Sequence, residues 1–219
     1  MLKTLILLIK TLFQALIEII FPNFCVGCNK KDTLLCSNCY EKIEFSSFPF
    51  NKLEKLKYID EIIVICRYQG IIKKLIHEFK YKSVINIGKI IAKLIYRSTN
   101  IPKCDLLIPI PIHKKKLDKR GFNQSEKIVR ELSILTKIPI RNLLLKATNT
   151  KSQMSIRDIK ERKNNLKNSF EIKKNIPSLP QKVILIDDIV TTGSTLDECA
   201  KILKKAGVKK VVGLVLAKG

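Results

Sequence analysis

One stretch near the C-terminal end, residues 183–195, constrains the fold more than any other part of the chain. It reads VILIDDIVTTGST: four apolar residues, two carboxylates, and a hydroxyl-rich loop that contains one glycine. A short apolar run followed by turn residues predicts a buried strand, and the residues after the loop predict a helix. Such a loop presents backbone N–H groups, hydroxyls and a helix N-terminus to one point, which is typical of a phosphate site.

The carboxylates before the loop, Asp187 and Asp188, extend this prediction from a phosphate to a sugar phosphate. Ionised carboxylates accept hydrogen bonds, so an adjacent pair suits the neighbouring hydroxyls of a sugar. A phosphate site beside a diol site indicates a ribose 5-phosphate. The alternative is a buried strand that ends in an ordinary polar turn. Asp-Asp and Thr-Thr pairs are each common, but their joint placement between a strand and a helix is not.

The residues after the loop predict a βαβ unit. Thr195 and Glu198 have the spacing of a capping box, and Gly207 suits a helix C-terminus. The apolar run 211–216 then predicts a second strand, parallel to the first. Upstream, the same periodicity predicts two further strands, at 61–67 and 105–108, and two helices, at 71–79 and 86–97.

Length and charge limit the classes of partner. A chain of 219 residues suits one α/β domain with a small addition. The net charge of +23 favours polyanions, which are phosphorylated ligands, nucleic acid or an anionic membrane. The alternative is a compositional bias that spreads solvated lysines over the surface, because lysine and isoleucine are both abundant.

Residues 1–22 predict an amphipathic helix that Pro22 ends. Its polar side chains line one narrow face: Lys3, Lys10, Gln14 and Glu18. The charges within the apolar run argue against a membrane span, and no small-residue cleavage site follows to indicate a signal peptide. Two interpretations stay open. The helix packs on its own domain, or residues 1–20 make peripheral contact with a membrane surface.

Residues 23–45 predict a small metal-binding knuckle. Two Cys-x-x-Cys hooks lie close together and supply four thiolates: Cys25, Cys28, Cys36 and Cys39. Four thiolates suit a tetrahedral, structural Zn²⁺ with no open position for water. Disulfides and an iron–sulfur cluster are the alternatives. Gly27 lies inside the first hook, where we expect the turn to need freedom in φ.

The remaining cysteines, Cys66, Cys104 and Cys199, are isolated in the sequence. We expect them to be small buried hydrophobes. No secretory pattern accompanies the seven cysteines, which predicts a reducing cytoplasm.

The strand predicted at 105–108 runs into a proline-rich turn and a cationic segment, residues 109–124. Prolines fix the backbone of the turn, and lysine and arginine supply charge to phosphate oxygens. This arrangement predicts a pyrophosphate-binding loop, with candidate contacts from Pro111, Lys114 and Arg120. For Asn123 and Gln124 two roles stay open, the start of a helix near the site or binding of an acceptor.

The order of these motifs resembles the ComF family of phosphoribosyltransferase-like proteins. The motifs are the double Cys-x-x-Cys, Pro-Ile-Pro-Ile at 109–112, Arg-Gly-Phe-Asn-Gln at 120–124 and the strand–loop at 183–195. Another is the pattern Gln153, Arg162, Asn165 and Phe170. The resemblance implies an α/β fold of the type I phosphoribosyltransferases over residues 46–219. This is a Rossmann-like, mainly parallel sheet, preceded by a four-cysteine zinc-binding extension.

The resemblance also assigns roles in binding 5-phosphoribosyl 1-pyrophosphate (PRPP) with Mg²⁺. It implies that Asp187 and Asp188 are catalytic residues that contact the ribose hydroxyls. It implies that the 5′-phosphate is held by a loop of five residues: Thr191, Thr192, Gly193, Ser194 and Thr195. Residues 147–154 are expected to form the mobile loop that closes over PRPP in this class of enzyme.

In function, the resemblance implies the handling of single-stranded DNA during natural competence. The expected partners are PRPP, single-stranded DNA, and a competence helicase or inner-membrane channel protein. The expected location is the cytoplasm or the inner face of the membrane. Two alternatives stay open. One is an active phosphoribosyltransferase with a nucleobase-like acceptor and no DNA role, and the other is a non-catalytic adaptor.

Overall fold

The computed structural model describes residues 22–45, 56–82, 84–146, 169–173 and 178–219. The helices within these ranges are α1 (Ser37–Tyr40), α2 (Gly70–Tyr81), α3 (Ile87–Ser98), α4 (Lys114–Arg120), α5 (Gln124–Thr136) and α6 (Ser194–Lys205). The strands are β1 (Glu61–Arg67), β2 (Leu106–Pro109), β3 (Leu144–Lys146), β4 (Phe170–Ile172), β5 (Lys182–Val190) and β6 (Lys210–Lys218). The predicted helix at 1–22, apart from Pro22, and the predicted mobile loop at 147–154 lie outside the described residues. So do Gln153, Arg162 and Asn165.

A parallel four-stranded sheet with the order β1-β6-β5-β2 forms the centre of the molecule. Ile186 of β5 lies opposite Leu214 of β6 on one side and Pro109 of β2 on the other. The middle strands are almost continuously apolar because both faces of the sheet are covered. This confirms the predicted parallel α/β fold and all four predicted strands of the sheet, with small shifts at their ends.

Helices cover the two faces of the sheet unequally. Helices α2, α3 and α5 pack on one face, where Phe79, Ile91 and Leu132 are fully buried. Helix α6 and the antiparallel ribbon β3–β4 pack on the other face. Close packing there depends on Gly213, since a Cβ at this position would lie 3.0 Å from the Leu196 side chain. The result is a three-layer domain whose strand ends are open at the carboxyl edge.

Three local predictions need correction or extension. The capping box is wrong, because α6 begins at Ser194 with Gly193 as its N-cap, and Glu198 pairs with Lys201 instead. Sequence periodicity does not identify α4, which is cationic and buries no residue. The helix predicted at 71–79 is longer and begins at Gly70. The C-terminal signal of α6 is confirmed, since Gly207 directly follows the helix with φ of 112°.

Two of the isolated cysteines behave as predicted. Cys66 in β1 and Cys199 in α6 are buried in the hydrophobic core, whereas Cys104 is half-buried before β2. Burial raises the pKa of Cys66 to about 12 and that of Cys199 well above its ordinary value. These two side chains therefore stay as neutral thiols.

No helix among the described residues is long and apolar enough to cross a membrane.

Candidate functional site

A pocket of about 210 Å³ lies at the carboxyl ends of β2 and β5. This is the edge at which ligands bind in open parallel α/β sheets. Six of the predicted site residues line the pocket: Pro111, Arg120, Asp187, Asp188, Thr191 and Thr195. The fold therefore brings the loop after β2 and the loop after β5 to one cavity, although some seventy residues separate them along the chain.

The two carboxylates at the end of β5 have different partners. Asp187 accepts a hydrogen bond from the Ser125 hydroxyl at 2.9 Å and another from the Asp188 backbone N–H at 2.9 Å. Asp188 is 5% exposed, and its Oδ2 lies 2.8 Å from Lys80 Nζ. That contact is an ion pair by distance, but its angles leave Oδ2 without a well-aligned hydrogen bond. The pair is thus held in place by α5 on one side and α2 on the other.

Crowding of charge shifts the ionisation of this pair. Burial, assisted by the neighbouring Asp188, raises the pKa of Asp187 to about 7, although Lys80 and the Ser125 hydroxyl oppose the rise. For Lys80, burial lowers the pKa, but the contact with Asp188 and the charges of Asp188 and Asp187 together outweigh burial, so the pKa ends above its ordinary value. Near neutral pH Asp187 is therefore partly protonated, and the acid pair carries less negative charge than two fully ionised carboxylates would.

The loop after β5 has the geometry of an anion site. It consists of Thr191, Thr192 and Gly193, and Gly193 adopts a left-handed φ of 74° that favours glycine. Ser194 and Thr195 form the first turn of α6, and the hydroxyls of Thr192 and Ser194 lie 2.9 Å apart. The first turn of α6, a twelve-residue helix, borders the pocket through Thr195, and the helix dipole favours an anion at this end.

Cations from separate elements form the rest of the pocket wall. We call the set Lys80 of α2, Lys116 and Arg120 of α4, and Lys146 of β3 the cationic wall; all four line the pocket. Burial and then repulsion from Arg120 and Lys80 lower the pKa of Lys116. Burial and then repulsion from Lys116 lower the pKa of Lys146. The wall therefore carries an excess of positive charge that a multiply charged anion would neutralise.

The remaining candidate residues from the sequence either lie outside the pocket lining or cap the helices beside it. Thr192, Gly193 and Ser194 are not among the residues that line the pocket, and neither is Lys114, which lies exposed at the start of α4. His113 caps α4 by accepting from the Lys115 backbone N–H. Asn123 caps α5 and donates to the Ile110 carbonyl at 3.0 Å, so it ties the helix to the loop after β2.

Sequence reasoning missed Lys80, Ser125 and Lys146 as residues of this pocket. Lys80 belongs to a Lys-Tyr-Lys run that follows the helix predicted at 71–79, and this run does not by itself indicate a position in the pocket. Ser125 follows the Arg-Gly-Phe-Asn-Gln motif directly, which is a weak signal for a position near the site. Lys146 carries no signal, because its side chain enters the pocket only through the β3–β4 ribbon, where it lies over the Phe170 ring.

The four clustered cysteines form a separate site at the N-terminal end. All four Sγ atoms lie within 4.8 Å of one another, and none of them is in a disulfide. A tetrahedral Zn²⁺ with Zn–S bonds of about 2.3 Å separates its sulfurs by roughly 3.8 Å. The Sγ distances of 3.7 Å from Cys25 to Cys36 and 3.6 Å from Cys28 to Cys36 match that spacing. The donor set therefore fits a four-coordinate metal.

The reason expected for Gly27 in this cluster is wrong. Its φ lies outside the left-handed region, but a Cβ there would come within 2.5 Å of Cys39 Sγ and 2.7 Å of the Ile71 side chain. Glycine is needed because the first hook passes directly against the second hook and against α2. Lys74 of α2 also donates to the Gly27 carbonyl, which ties the knuckle to the domain.

Comparisons with known proteins agree with this architecture. Residues 116–219 match the family model described as phosphoribosyl transferase domain. Competence protein F of Haemophilus influenzae is 30% identical over 199 residues, covering 85% of this chain and 86% of the relative. The DNA utilization protein YhgH of Escherichia coli K12 is 26% identical over 195 residues, with 85% of each chain covered.

Among solved structures, glutamine phosphoribosylpyrophosphate amidotransferase from B. subtilis matches at 16% identity with a TM-score of 0.43. The match covers 63% of this chain and only 30% of that much longer protein.

Proposed function

Because this chain belongs to the ComF family of phosphoribosyltransferase-like proteins, we propose that its pocket binds PRPP together with Mg²⁺. One observation carries the proposal. A phosphate loop, a carboxylate pair and a cationic wall converge on a single cavity. These three features correspond to the 5′-phosphate, the ribose diol and the pyrophosphate of one ligand.

The loop residues Thr191–Thr195 hold the 5′-phosphate with N–H groups, hydroxyls and the N-terminus of α6. Asp187 and Asp188 accept hydrogen bonds from the ribose 2′ and 3′ hydroxyls. The cationic wall faces the pyrophosphate, whose charge relieves the repulsion among Lys80, Lys116 and Arg120. The same two carboxylates would hold Mg²⁺ directly or through water, since this ion prefers oxygen ligands and keeps part of its hydration shell. The ion would neutralise charge on the pyrophosphate.

If turnover occurs, the reaction breaks the bond between ribose C1 and the pyrophosphate oxygen, and a nitrogen of the acceptor forms the new bond to C1. The pocket contributes by holding the ribose in position and by stabilising the leaving group electrostatically. Lys116 and Arg120 stabilise the charge that develops on the departing pyrophosphate.

Calorimetry and a product assay test this proposal. PRPP with Mg²⁺ should bind more tightly than ribose 5-phosphate, because only PRPP reaches the cationic wall. Release of pyrophosphate in the presence of a panel of nitrogen heterocycles would then establish transfer. Failure of PRPP to bind at millimolar concentration would reject the proposed function, and binding without pyrophosphate release would restrict it to a PRPP-dependent sensor.

A role in handling single-stranded DNA during competence is the wider function that we propose. It is supported by the names of the relatives and by the net charge of +23. Phosphate contacts predict that binding to a fluorescent oligonucleotide weakens steeply as salt rises. Absence of binding at low salt would reject a direct DNA contact. PRPP should be added as a competitor, since a shared cationic wall would make the two ligands compete.

The cysteine knuckle is proposed to hold a structural zinc ion. Purified protein should contain about one zinc per chain, because four thiolates close the coordination shell. Cys36→Ser should lower the zinc content and the melting temperature together. Cys104→Ser, which lies outside the cluster, is the matched control and should change neither quantity. A zinc-free, fully stable wild-type protein would contradict the assignment.

Docking to a competence helicase or an inner-membrane channel, and peripheral membrane contact through residues 1–20, are proposed for the N-terminal part. Deletion of residues 1–40 should abolish capture of the helicase or channel and flotation with anionic vesicles. Retained capture and flotation would place both contacts elsewhere. The cytoplasm, or the cytoplasmic face of the inner membrane, is the location that this proposal requires.

A further inference from the structure

One buried amide in the pocket has no partner for its donor group. Gln124 begins α5 and is only 2% exposed, yet it lines the pocket. Its Nε2 has no hydrogen-bond acceptor within reach among the residues that the structure describes. A buried N–H group without an acceptor is costly, so such groups in native proteins call for an explanation. A ligand oxygen in the pocket would supply the acceptor.

The orientation of this amide follows from its neighbour. Arg120 Nη1 lies 3.1 Å from Gln124 Oε1 and donates to it. A guanidinium has only donors, so the oxygen of the amide must face Arg120 and the nitrogen is the end left without a partner. Gln124 therefore offers its ligand two N–H donors and no acceptor.

The position of the amide places it beside the ribose acids and an aromatic ring. The adjacent residue, Ser125, donates to Asp187, so α5 delivers both side chains to the same end of the pocket. Arg120 also lies 5.7 Å from the centre of the Tyr81 ring, which is 54% exposed at the pocket edge. A planar group that reached Gln124 would thus lie near an aromatic ring and a guanidinium plane, both of which stack on heterocycles.

We propose that Gln124 reads the acceptor substrate and selects heterocycles with an oxo group over those with an amino group. The inference rests on the proposed function, because it assigns the acceptor of the same PRPP site. A neutral amide adds little to a multiply charged pyrophosphate that already faces the cationic wall. Its fixed direction does discriminate between a carbonyl oxygen, which accepts, and an amino group, which donates.

Two pairs of nearly isosteric probes test this selectivity: hypoxanthine with adenine, and uracil with cytosine. Each pair differs by one oxo-to-amino exchange, which also removes the N–H of the neighbouring ring nitrogen. Their affinities for the protein loaded with PRPP and Mg²⁺ can be measured by saturation-transfer NMR and calorimetry, with or without turnover. We expect the oxo member of at least one pair to bind about 10-fold or more tightly than its partner, because an amino group at the exchanged position cannot accept a hydrogen bond from the buried N–H donor.

Gln124→Glu gives the sharpest variant. An ionised glutamate can keep the contact with Arg120 while it presents an acceptor to the pocket, so the preference should reverse towards the amino member. Gln124→Leu should make the two members of a pair bind equally. Gln181→Glu, at an exposed position distant from the pocket, is the matched control and should leave the preference unchanged.

The outcomes separate this inference from the proposed function. Loss of PRPP binding in the wild type rejects both. If PRPP binds but both members of each pair bind equally, or none binds, the selectivity of Gln124 is rejected while the PRPP site stands. If wild type prefers the oxo member and Gln124→Glu keeps that preference, another residue reads the acceptor and the inference is overturned.

Discussion

The loop after β5 and the cationic wall border the same pocket but are encoded in different ways. The loop and the acid pair come from nine consecutive residues, 187–195, which run from the end of β5 to the start of α6. The cationic wall comes from α2, α4 and β3, and its members lie between positions 80 and 146. The loop is therefore a local structure that one substitution can distort. The wall consists of four separate cations, so when one of them is removed the other three should, in most cases, partly compensate for the lost charge.

Lys80 should be the exception within the wall, and its loss should have the largest effect. Lys80→Met leaves the buried Asp188 carboxylate without its cation, which costs about 3 kcal/mol of unfolding free energy at pH 8. The pKa of Asp187 should also rise beyond its value of about 7, because Lys80 opposes that rise. Urea denaturation at pH 8 and pH 5.5 measures the loss, which should shrink at the lower pH because a protonated Asp187 no longer repels the Asp188 carboxylate.

Lys82→Met is the matched control for that experiment. Lys82 pairs with Glu78 on the surface of α2 and is 64% exposed, so its loss should change stability by less than about 0.5 kcal/mol. Equal effects of the two variants would show that Lys80 is no more than a surface lysine.

A substitution at Gly193 should disrupt the loop by distorting its backbone. Gly193→Val forces a β-branched residue into a left-handed φ of 74°, which costs about 2 kcal/mol or more and displaces the N–H groups from the phosphate. Calorimetry should show that ribose 5-phosphate and PRPP bind at least about 30-fold more weakly, which corresponds to a loss of about 2 kcal/mol of binding free energy.

Gly207→Val separates strain from function, since Gly207 also has a left-handed φ but lies at the far end of α6. This variant should lose stability while the folded protein keeps its affinity for PRPP. If both glycine variants bind PRPP like the wild type, the loop does not hold the phosphate.

The acid pair should respond to pH in the direction set by its raised pKa. The folded state holds the Asp187 proton up to about pH 7, whereas an ordinary carboxyl loses it near 3.8. The stability that this group contributes is therefore complete below pH 3.8 and is lost as pH rises through 7. Asp187→Asn should be about 1–2 kcal/mol more stable than wild type at pH 8, and the difference should shrink as pH falls below 7 and disappear only near pH 3.8.

Thermal or urea unfolding across pH 4 to 8 measures this difference. Asp118→Asn, on the exposed surface of α4, should show no such trend. A wild-type protein that gains stability relative to Asp187→Asn as pH rises would contradict the assigned direction of the pKa shift.

Removal of one cation of the wall other than Lys80 should have the smallest effect of the substitutions considered. Lys116→Gln should weaken pyrophosphate binding about 3- to 10-fold, because Arg120, Lys80 and Lys146 retain most of the positive potential. Ribose 5-phosphate binding should stay within about 2-fold of wild type, a difference below 0.5 kcal/mol. The exposed neighbour variant Lys115→Gln is the control, and a larger effect there than at Lys116 would move the wall elsewhere on α4.

The same contrast explains how much the sequence could predict. The individual strands of the sheet, the four thiols and the strand–loop–helix at 183–195 each depend on residues that are close in the chain, so their patterns are readable. Lys80 and Lys146 reach the pocket only because α2 and the β3–β4 ribbon end at its edge, which depends on tertiary packing. The role of Gly27 was also misjudged, since it depends on the approach of Cys39 and Ile71 rather than on its own φ.

Calorimetric titration of PRPP and of free pyrophosphate, each with Mg²⁺, into wild type and the double variant Asp187→Asn, Asp188→Asn tests the central claim most directly. Charge-assisted hydrogen bonds to the ribose diol are worth about 1.5–3 kcal/mol each, so the double variant should bind PRPP at least about 100-fold more weakly. Free pyrophosphate, which has no diol, should lose less affinity than PRPP, because only its Mg²⁺ ion would contact the two carboxylates. Unchanged affinity for PRPP in the folded double variant would contradict the account.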